Sequence, residues 1–375
     1  MSTEVPFAAT LSVAGAESRP YLAIDRAGVV RALVPADGGA MVRRALARTN
    51  GPESLARHLG RQAYACLSTT RLVAHRRTVQ VADAELRERL SSLAGCDLRL
   101  AFQFGPLRAN RKPVVLGYDA DGALAVVAKI GATLLTAGLV RAEGVALRAL
   151  AAEPDLPGRP AVPRLLGETD WAGAPMLVAS ALPMSSRHRQ PSYVARASAE
   201  RWIVRTCGPH DGFEAYLDDL RGRIARLPDP DLTGRWEDYL TEAARTLPPT
   251  LAMGSWHGDW SPQNVAVGAS GLAAWDWERF APNRPRGYDA LHFRLQSLLR
   301  HGHARAGRRL MRGAPAVLRP WQELPPRQAR ALARLLLLEI GTRYEHDRQS
   351  STGSPGAGVR TWIEDAVLAD ERSEP

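Results

Sequence analysis

The sequence predicts an α+β chain of two lobes, a small antiparallel sheet followed by a larger, mainly helical part, with an α+β extension before them. Three observations carry this. Apolar runs of strand length, separated by turn residues, occupy 98–130. Stretches of helical periodicity fill much of 197–348. A polar loop and hairpin at 255–280 interrupts the helical half and gathers Asp259, Asp276, Glu278, Asn264 and His257.

Taken in order, residues 1–95 show short strand patterns at 21–24 and 29–34 and helical spacing at 41–47, 52–65 and 82–93. No motif there attaches to chemistry, and the stretch reads as an extension packed on the core. Strands follow at 98–104, 113–118 and 123–130, with the turn Asp119-Ala120-Asp121-Gly122 between the last two. A helix over 136–152 carries Leu139, Val145, Leu147 and Leu150 at near-helical spacing. An apolar strand at 176–183 precedes a polar, basic linker at 185–190. Helices are then expected at 197–206, 212–227, 235–247, 287–300 and 326–348. The division is therefore an extension at 1–95, a sheet lobe at 96–183 and a helical lobe at 184–375.

With 45% hydrophobic and 23% charged residues in 375, the chain is globular and long enough for sizeable cores. No apolar stretch is long enough to span a bilayer, and the first residues lack the basic region of a signal peptide, so no membrane and a cytoplasmic location are expected. Cys66, Cys96 and Cys207 are too scattered for a disulfide framework or a zinc pattern. The net charge of +10 comes from arginines spread along the chain, without a basic tail or a nucleic-acid motif, and no nucleic-acid partner is expected. Only two of the 49 basic residues are lysine, Lys112 and Lys129. In a chain that otherwise uses arginine, a lysine marks a position where a guanidinium would not serve.

The densest chemistry lies in the polar loop. Asn264 follows Asp259 by five residues, and Asp276 follows Asn264 by twelve. An aspartate on a loop can accept the proton of an attacking hydroxyl, while an asparagine and a second aspartate supply the hard oxygen ligands that Mg²⁺ prefers. Two short apolar strands about the turn at 268–271 would bring Asn264 and Asp276 opposite each other at the open end of a hairpin.

His257-Gly258-Asp259, with Asn264 at this spacing and then Asp276-Trp277-Glu278, resembles the catalytic segment of the aminoglycoside phosphotransferase and choline kinase group, small-molecule kinases of protein-kinase-like fold. The resemblance covers about 97–300 and implies a catalytic base at Asp259 and Mg²⁺ on Asn264 and Asp276. Lys129, in Val126-Val127-Ala128-Lys129, falls where the group carries its phosphate-binding lysine, and Glu143 where it carries the paired acid. The bare residues also permit Lys129 to snorkel from a strand edge and Glu143 to face solvent. Backbone groups of Ser180 to Leu182 would meet an adenine edge, in a stretch equally compatible with a plain core strand.

The implied partners are ATP or GTP as co-substrate and a small hydroxylated acceptor such as an aminoglycoside, amino alcohol or sugar. The phosphate-covering loop departs from the pattern, since 105–112 holds one glycine and sets Arg108, Arg111 and Lys112 there instead. That departure, with the extension, motivates the alternative of a catalytically weak, nucleotide-binding regulatory protein. The acidic stretch Asp211, Glu214, Asp218 and Asp219 either receives a cationic substrate or is a solvated face paired with Arg221 and Arg223.

Overall fold

The computed structural model describes residues 18–26, 29–37, 41, 77–105, 108–184, 189–269, 271–303 and 305–349. The helix expected at 52–65, and all but Met41 of the one at 41–47, lie outside them. The described chain opens on a hairpin, β1 (Arg19–Arg26) and β2 (Val29–Pro35), followed by β3 (Thr78–Val81) and helix α1 (Ala84–Ala94). Next come β4 (Arg99–Phe104), β5 (Pro113–Tyr118) and β6 (Leu124–Ile130), within a residue of the strands their alternation predicts. Helix α2 (Leu134–Ala152), capped by the Thr133 hydroxyl, leads to β7 (Leu165–Trp171) and β8 (Ala174–Ser180).

All eight strands belong to one sheet, in the order β3-β1-β2-β4-β5-β6-β8-β7, and every printed pairing in it is antiparallel. The extension is thus more than a layer packed on the core. Its strands continue the sheet outward from β4, with Ala32 opposite Gln103, and so cover an edge that would otherwise present unpaired backbone groups. Leu86 and Leu90 of α1 pack under the sheet with Tyr21, Phe102 and Trp171. The Tyr21 hydroxyl donates to Asp83 at 2.7 Å in that core. On α2, Leu139, Leu147 and Leu150 are buried as their spacing predicts, whereas Val145 is 63% exposed.

The second lobe is built from α3 (Tyr193–Arg205), α4 (Phe213–Ile224) and α5 (Pro230–Thr246), then four short strands. These are β9 (Met253–Trp256), β10 (Val265–Gly268), β11 (Gly271–Ala274) and β12 (Ala281–Pro285). Helices α6 (Tyr288–Arg300), α7 (Ala306–Leu318) and α8 (Pro326–His346) complete it. Strand β9 pairs with β12 and β10 with β11, the latter being the expected hairpin, with Val265 opposite Ala274. Leu335, Leu336, Leu337 and Leu338 of α8 are all buried, so this helix is apolar around its whole circumference at that level and forms the axis of the lobe. A further core holds the lobes together, where Val140, Leu147 and Leu177 meet Trp202, Trp260 and Trp277. This is the two-lobed, protein-kinase-like arrangement that the catalytic segment implies. No helix among the described residues is long and apolar enough to cross a membrane.

Candidate active site

The loop from Trp256 to Asn264 is held by its neighbours rather than by regular structure. Gly258 has φ +81°, and a Cβ there would stand 2.0 Å from the Arg279 carbonyl oxygen, so only glycine fits between His257 and Asp259. At the first turn of α6 the Asp289 carboxylate accepts the amides of His257 (2.8 Å) and Gly258 (3.4 Å). The buried His257 ring spans the loop, its Nε2 donating to the Trp275 carbonyl and its Nδ1 accepting the Asp259 amide. Burial pushes its pKa down to about 4, so it braces the loop as a neutral imidazole.

Asp259 stands at the end of this brace with its side chain 37% exposed. Its Oδ2 accepts Asn264 Nδ2 at 2.9 Å, while Oδ1 is 3.8 Å from His292 Nε2, beyond hydrogen-bond length. Asn264 Nδ2 also donates to the Asp259 carbonyl, which leaves its amide oxygen for another use. Crowding by protein raises the Asp259 pKa to about 6, against the lowering influence of Arg343, Asn264 and Arg279. His292 is fully buried, bonds the Trp260 carbonyl and is held neutral by burial.

Across the hairpin, Asp276 adopts φ +68°, a left-handed conformation rare for a residue with a side chain. The Trp275 amide, donating to the Asn264 carbonyl, and the Trp275 carbonyl, accepting His257, hold the turn that imposes it. Strain of this kind persists only where the surroundings over-determine it. Here it aims the Asp276 carboxylate at Lys129, with Nζ to Oδ1 2.6 Å. The same ammonium lies 2.7 and 2.6 Å from the two oxygens of Glu143, so all three of its donors are matched. Burial alone would lower the Lys129 pKa, but Asp276 and Glu143 outweigh it and keep the lysine charged. Asp276 is correspondingly held below the usual carboxylate range; Lys129 and then Lys112 overcome its desolvation.

One member of this cluster, Glu278, had no role in the sequence reading, and another, Lys112, was read there as charge on the phosphate-covering loop. Glu278 is buried and ion-paired to Lys112, the only other lysine of the chain. Lys112 therefore does not simply project from the phosphate-covering loop; it reaches across the lobes to the residue two beyond Asp276. Both lysines converge on one point, which the lysine scarcity signalled without naming their partners. Glu143, Asp276 and Glu278 each offer an oxygen within 4.8 Å of the others. Three carboxylates against two ammoniums leave one negative charge in a set of hard oxygen donors, and that fits a cation such as Mg²⁺.

The expected adenine edge is partly committed. The Ser180 amide donates to the Arg164 carbonyl and the Ala181 amide to that of Ala125, so Leu182 is the first residue past these bonds. The polar linker is tied to the site, since Val267 donates to the Arg189 carbonyl and the Gln190 amide to that of Pro262; 185–188 lie outside the described residues. Trp256, Trp260 and Trp277 are core residues, each 3% exposed or less. The acidic stretch is engaged with its own neighbours: Asp218 pairs with Arg221 at 2.7 Å, and Asp219 with both Arg223 and Arg284 at 3.1 Å.

No family model matches the chain, and none of the curated proteins matches it. Several solved structures do. Choline kinase LicA from Streptococcus pneumoniae is 16% identical with a TM-score of 0.48, over 77% of this chain and 99% of that one. A thermostable mutant of aminoglycoside phosphotransferase APH(4)-Ia, in complex with ADP and hygromycin B, is 13% identical with a TM-score of 0.47, over 76% and 99%. The streptomycin-ATP-APH(2")-IIa complex is 13% identical with a TM-score of 0.46, over 76% and 96%.

Proposed function

We propose that the chain is a phosphotransferase that moves the γ-phosphoryl group of ATP or GTP to a hydroxyl of a small molecule. The observation that carries this reading is the convergence, between two lobes, of a cationic Lys129 with its carboxylate partners and of Asp259 with Asn264. Lys129, oriented by Glu143, would bind nucleotide phosphates by exchanging its bond to Asp276 for one to a phosphate oxygen. Asn264 and Asp276, with Glu278 beside them, would hold Mg²⁺, which when bound neutralises charge developing on the phosphates. Asp259 keeps Oδ1 open to receive the proton of the acceptor hydroxyl, and a pKa near 6 makes it a stronger base than a free aspartate while leaving it ionised at neutral pH. The rigid brace of Asp289 and His257 keeps that oxygen in place, and positioning of this kind supplies much of the rate in phosphoryl transfer.

The test is release of ADP or GDP from the Mg²⁺-nucleotide across pooled hydroxylated metabolites, amino sugars and aminoglycosides. Turnover with an acceptor, abolished in Asp259→Asn while nucleotide still binds, is the expected result. One observation favours the second reading, a nucleotide-binding protein with little catalysis: Lys112 already fills part of the carboxylate cluster by pairing with Glu278. Nucleotide binding with no transfer to any pool would select that reading.

A further inference from the structure

A cavity of about 360 Å³ opens beside the catalytic loop on the side of the helical lobe. That is large enough for a compact metabolite. Arg223, Arg226, Arg279, Arg284 and Arg343 line it, against only Glu339 and Asp347 as carboxylates, a surplus of three positive charges from five and two. Lys129, Lys112 and Asp276 are absent from its wall, so it is separate from the cluster assigned above to nucleotide phosphates and metal.

The five arginines are not equivalent. Arg223 is spent on Glu339 through two bonds of 2.8 and 2.7 Å, Arg284 on Asp219 at 3.1 Å, and Arg279 on Asp347. Arg343 is different. Half-buried on α8, it donates to the Gly258 carbonyl at 2.6 Å and, among the described residues, makes no direct ion pair, its charge acting on Asp259 and Glu339 from farther off. Arg226, an exposed residue of the cavity wall, makes no ion pair among the described residues either. A guanidinium presents a fork of donors, and one bond to a carbonyl leaves most of that fork directed elsewhere.

The cavity is also joined to the chemistry. Trp256 forms part of its wall, and the carbonyl that Arg343 grips belongs to the residue just before Asp259, about 3.8 Å along the chain. An anion held by Arg343 and Arg226 would therefore lie close to the proposed base. Within the acidic stretch, Asp218 and Asp219 are already paired with Arg221, Arg223 and Arg284. Cationic acceptors such as amino alcohols and aminoglycosides would meet like charge here.

We infer that this cavity binds the acceptor, and that the acceptor is a compact anion carrying a phosphate or carboxylate beside its hydroxyl. The inference rests on the phosphotransferase reading for the word acceptor, but anion binding stands apart from it and is tested apart. Calorimetric or thermal-shift titration of the intact protein, without nucleotide, would compare matched pairs: glycerol with glycerol 3-phosphate, glucose with glucose 6-phosphate and gluconate, and ethanolamine and an aminoglycoside as cations. The anionic members are expected to bind at least about tenfold more tightly, the range that hydrogen bonds to charged groups supply. Arg343→Gln and Arg226→Gln should erase that preference, with Arg343→Lys retaining part of it. In Mg²⁺-ATP assays Arg226→Gln should raise KM for the anionic acceptor by a similar factor with a smaller change in kcat, whereas Arg343→Gln, which also releases the Gly258 carbonyl and alters the field on Asp259, should change both. Equal binding of neutral or cationic compounds, or anion binding indifferent to both glutamine variants, overturns the inference. Asp259-dependent turnover of a cationic acceptor would keep the kinase and overturn the anion site. Arg343-dependent anion binding without transfer would keep the site and overturn the kinase.

Discussion

Lys129 makes three short bonds, to both oxygens of Glu143 and to Asp276, from a side chain only 14% exposed. An ammonium is compact and can direct three donors at three oxygens, whereas a guanidinium is planar and broader. Lys129→Arg is accordingly expected to lower kcat/KM for nucleotide by about tenfold or more even though charge is conserved, as steady-state kinetics would show. A fall no larger than about twofold would mean that charge alone matters at this position. At Asp276 the relevant quantity is the carboxylate, since asparagine tolerates the same left-handed backbone. Asp276→Asn should weaken Mg²⁺-dependent nucleotide binding, measured by titrating the metal at fixed ATP, and should lower the melting temperature as well, because it removes one partner of the buried Lys129.

Among the elements, α6 has the clearest mechanical role. Its first turn places Asp289 under the loop of Asp259, where the carboxyl group accepts two loop amides. Asp289→Ala would strand the buried His257 and Gly258 amides, at about 1–3 kcal/mol of stability in denaturant melts. Activity should fall with it, because the same amides set the position of Asp259. Gly258 is the tighter constraint. Gly258→Ala combines a positive φ with a Cβ placed against the Arg279 carbonyl, so either the loop or the Arg279 backbone must shift, and loss of activity is expected to exceed loss of stability. Helix α8 works differently, serving both as the axis of the helical core through its leucines and as the carrier of Glu339 and Arg343 at the cavity.

For the whole molecule, buried carboxylates of opposite shift shape stability against pH. Burial alone would raise Glu339, but Arg223 and Arg284 outweigh it and hold its pKa at about 2 against an ordinary 4.5. Its contribution, on the order of 3 kcal/mol, is present above 4.5 and is lost as pH falls toward 2. Desolvation instead raises Glu200 to about 8 and Asp289 to about 7. Their folded forms retain protons that the unfolded chain gives up, so their contributions are complete below about pH 4 and disappear as pH rises through 7 and 8. In denaturant melts at constant salt, Glu339 should therefore take stability away below about pH 4.5, while Glu200 and Asp289 take it away progressively from about pH 4 to 8. Glu200→Gln, which keeps an acceptor for the Trp260 indole, should flatten the alkaline side, and an unchanged profile would show that Glu200 does not hold its proton.

Local chemistry was legible wherever neighbours along the chain carry it. Alternation marked β4 to β6, helical spacing marked α2 and α8, and the spacing of Asp259, Asn264 and Asp276 marked the hairpin that sets them together. Helix α7 escaped because Gly307, Gly313 and Pro315 read as breakers and its arginines as a charged cluster, although Leu310, Met311, Ala314 and Leu318 bury one face. Strand β7 escaped because its centre, Gly167-Glu168-Thr169-Asp170, is polar on a sheet edge. Glu278 and Lys112 lie 166 positions apart, and Arg343 is one of 47 arginines with nothing local to distinguish it. By itself the sequence determined the types of most elements and the spacing of Asp259, Asn264 and Asp276, because propensity, periodicity and turn chemistry act over a few residues. Tertiary structure alone decided that the extension joins the sheet, that both lysines meet one carboxylate cluster, and that unpaired arginine faces the loop of Asp259. Strand edges, buried charges and cavity walls select their partners by proximity in space, which separation along the chain does not encode.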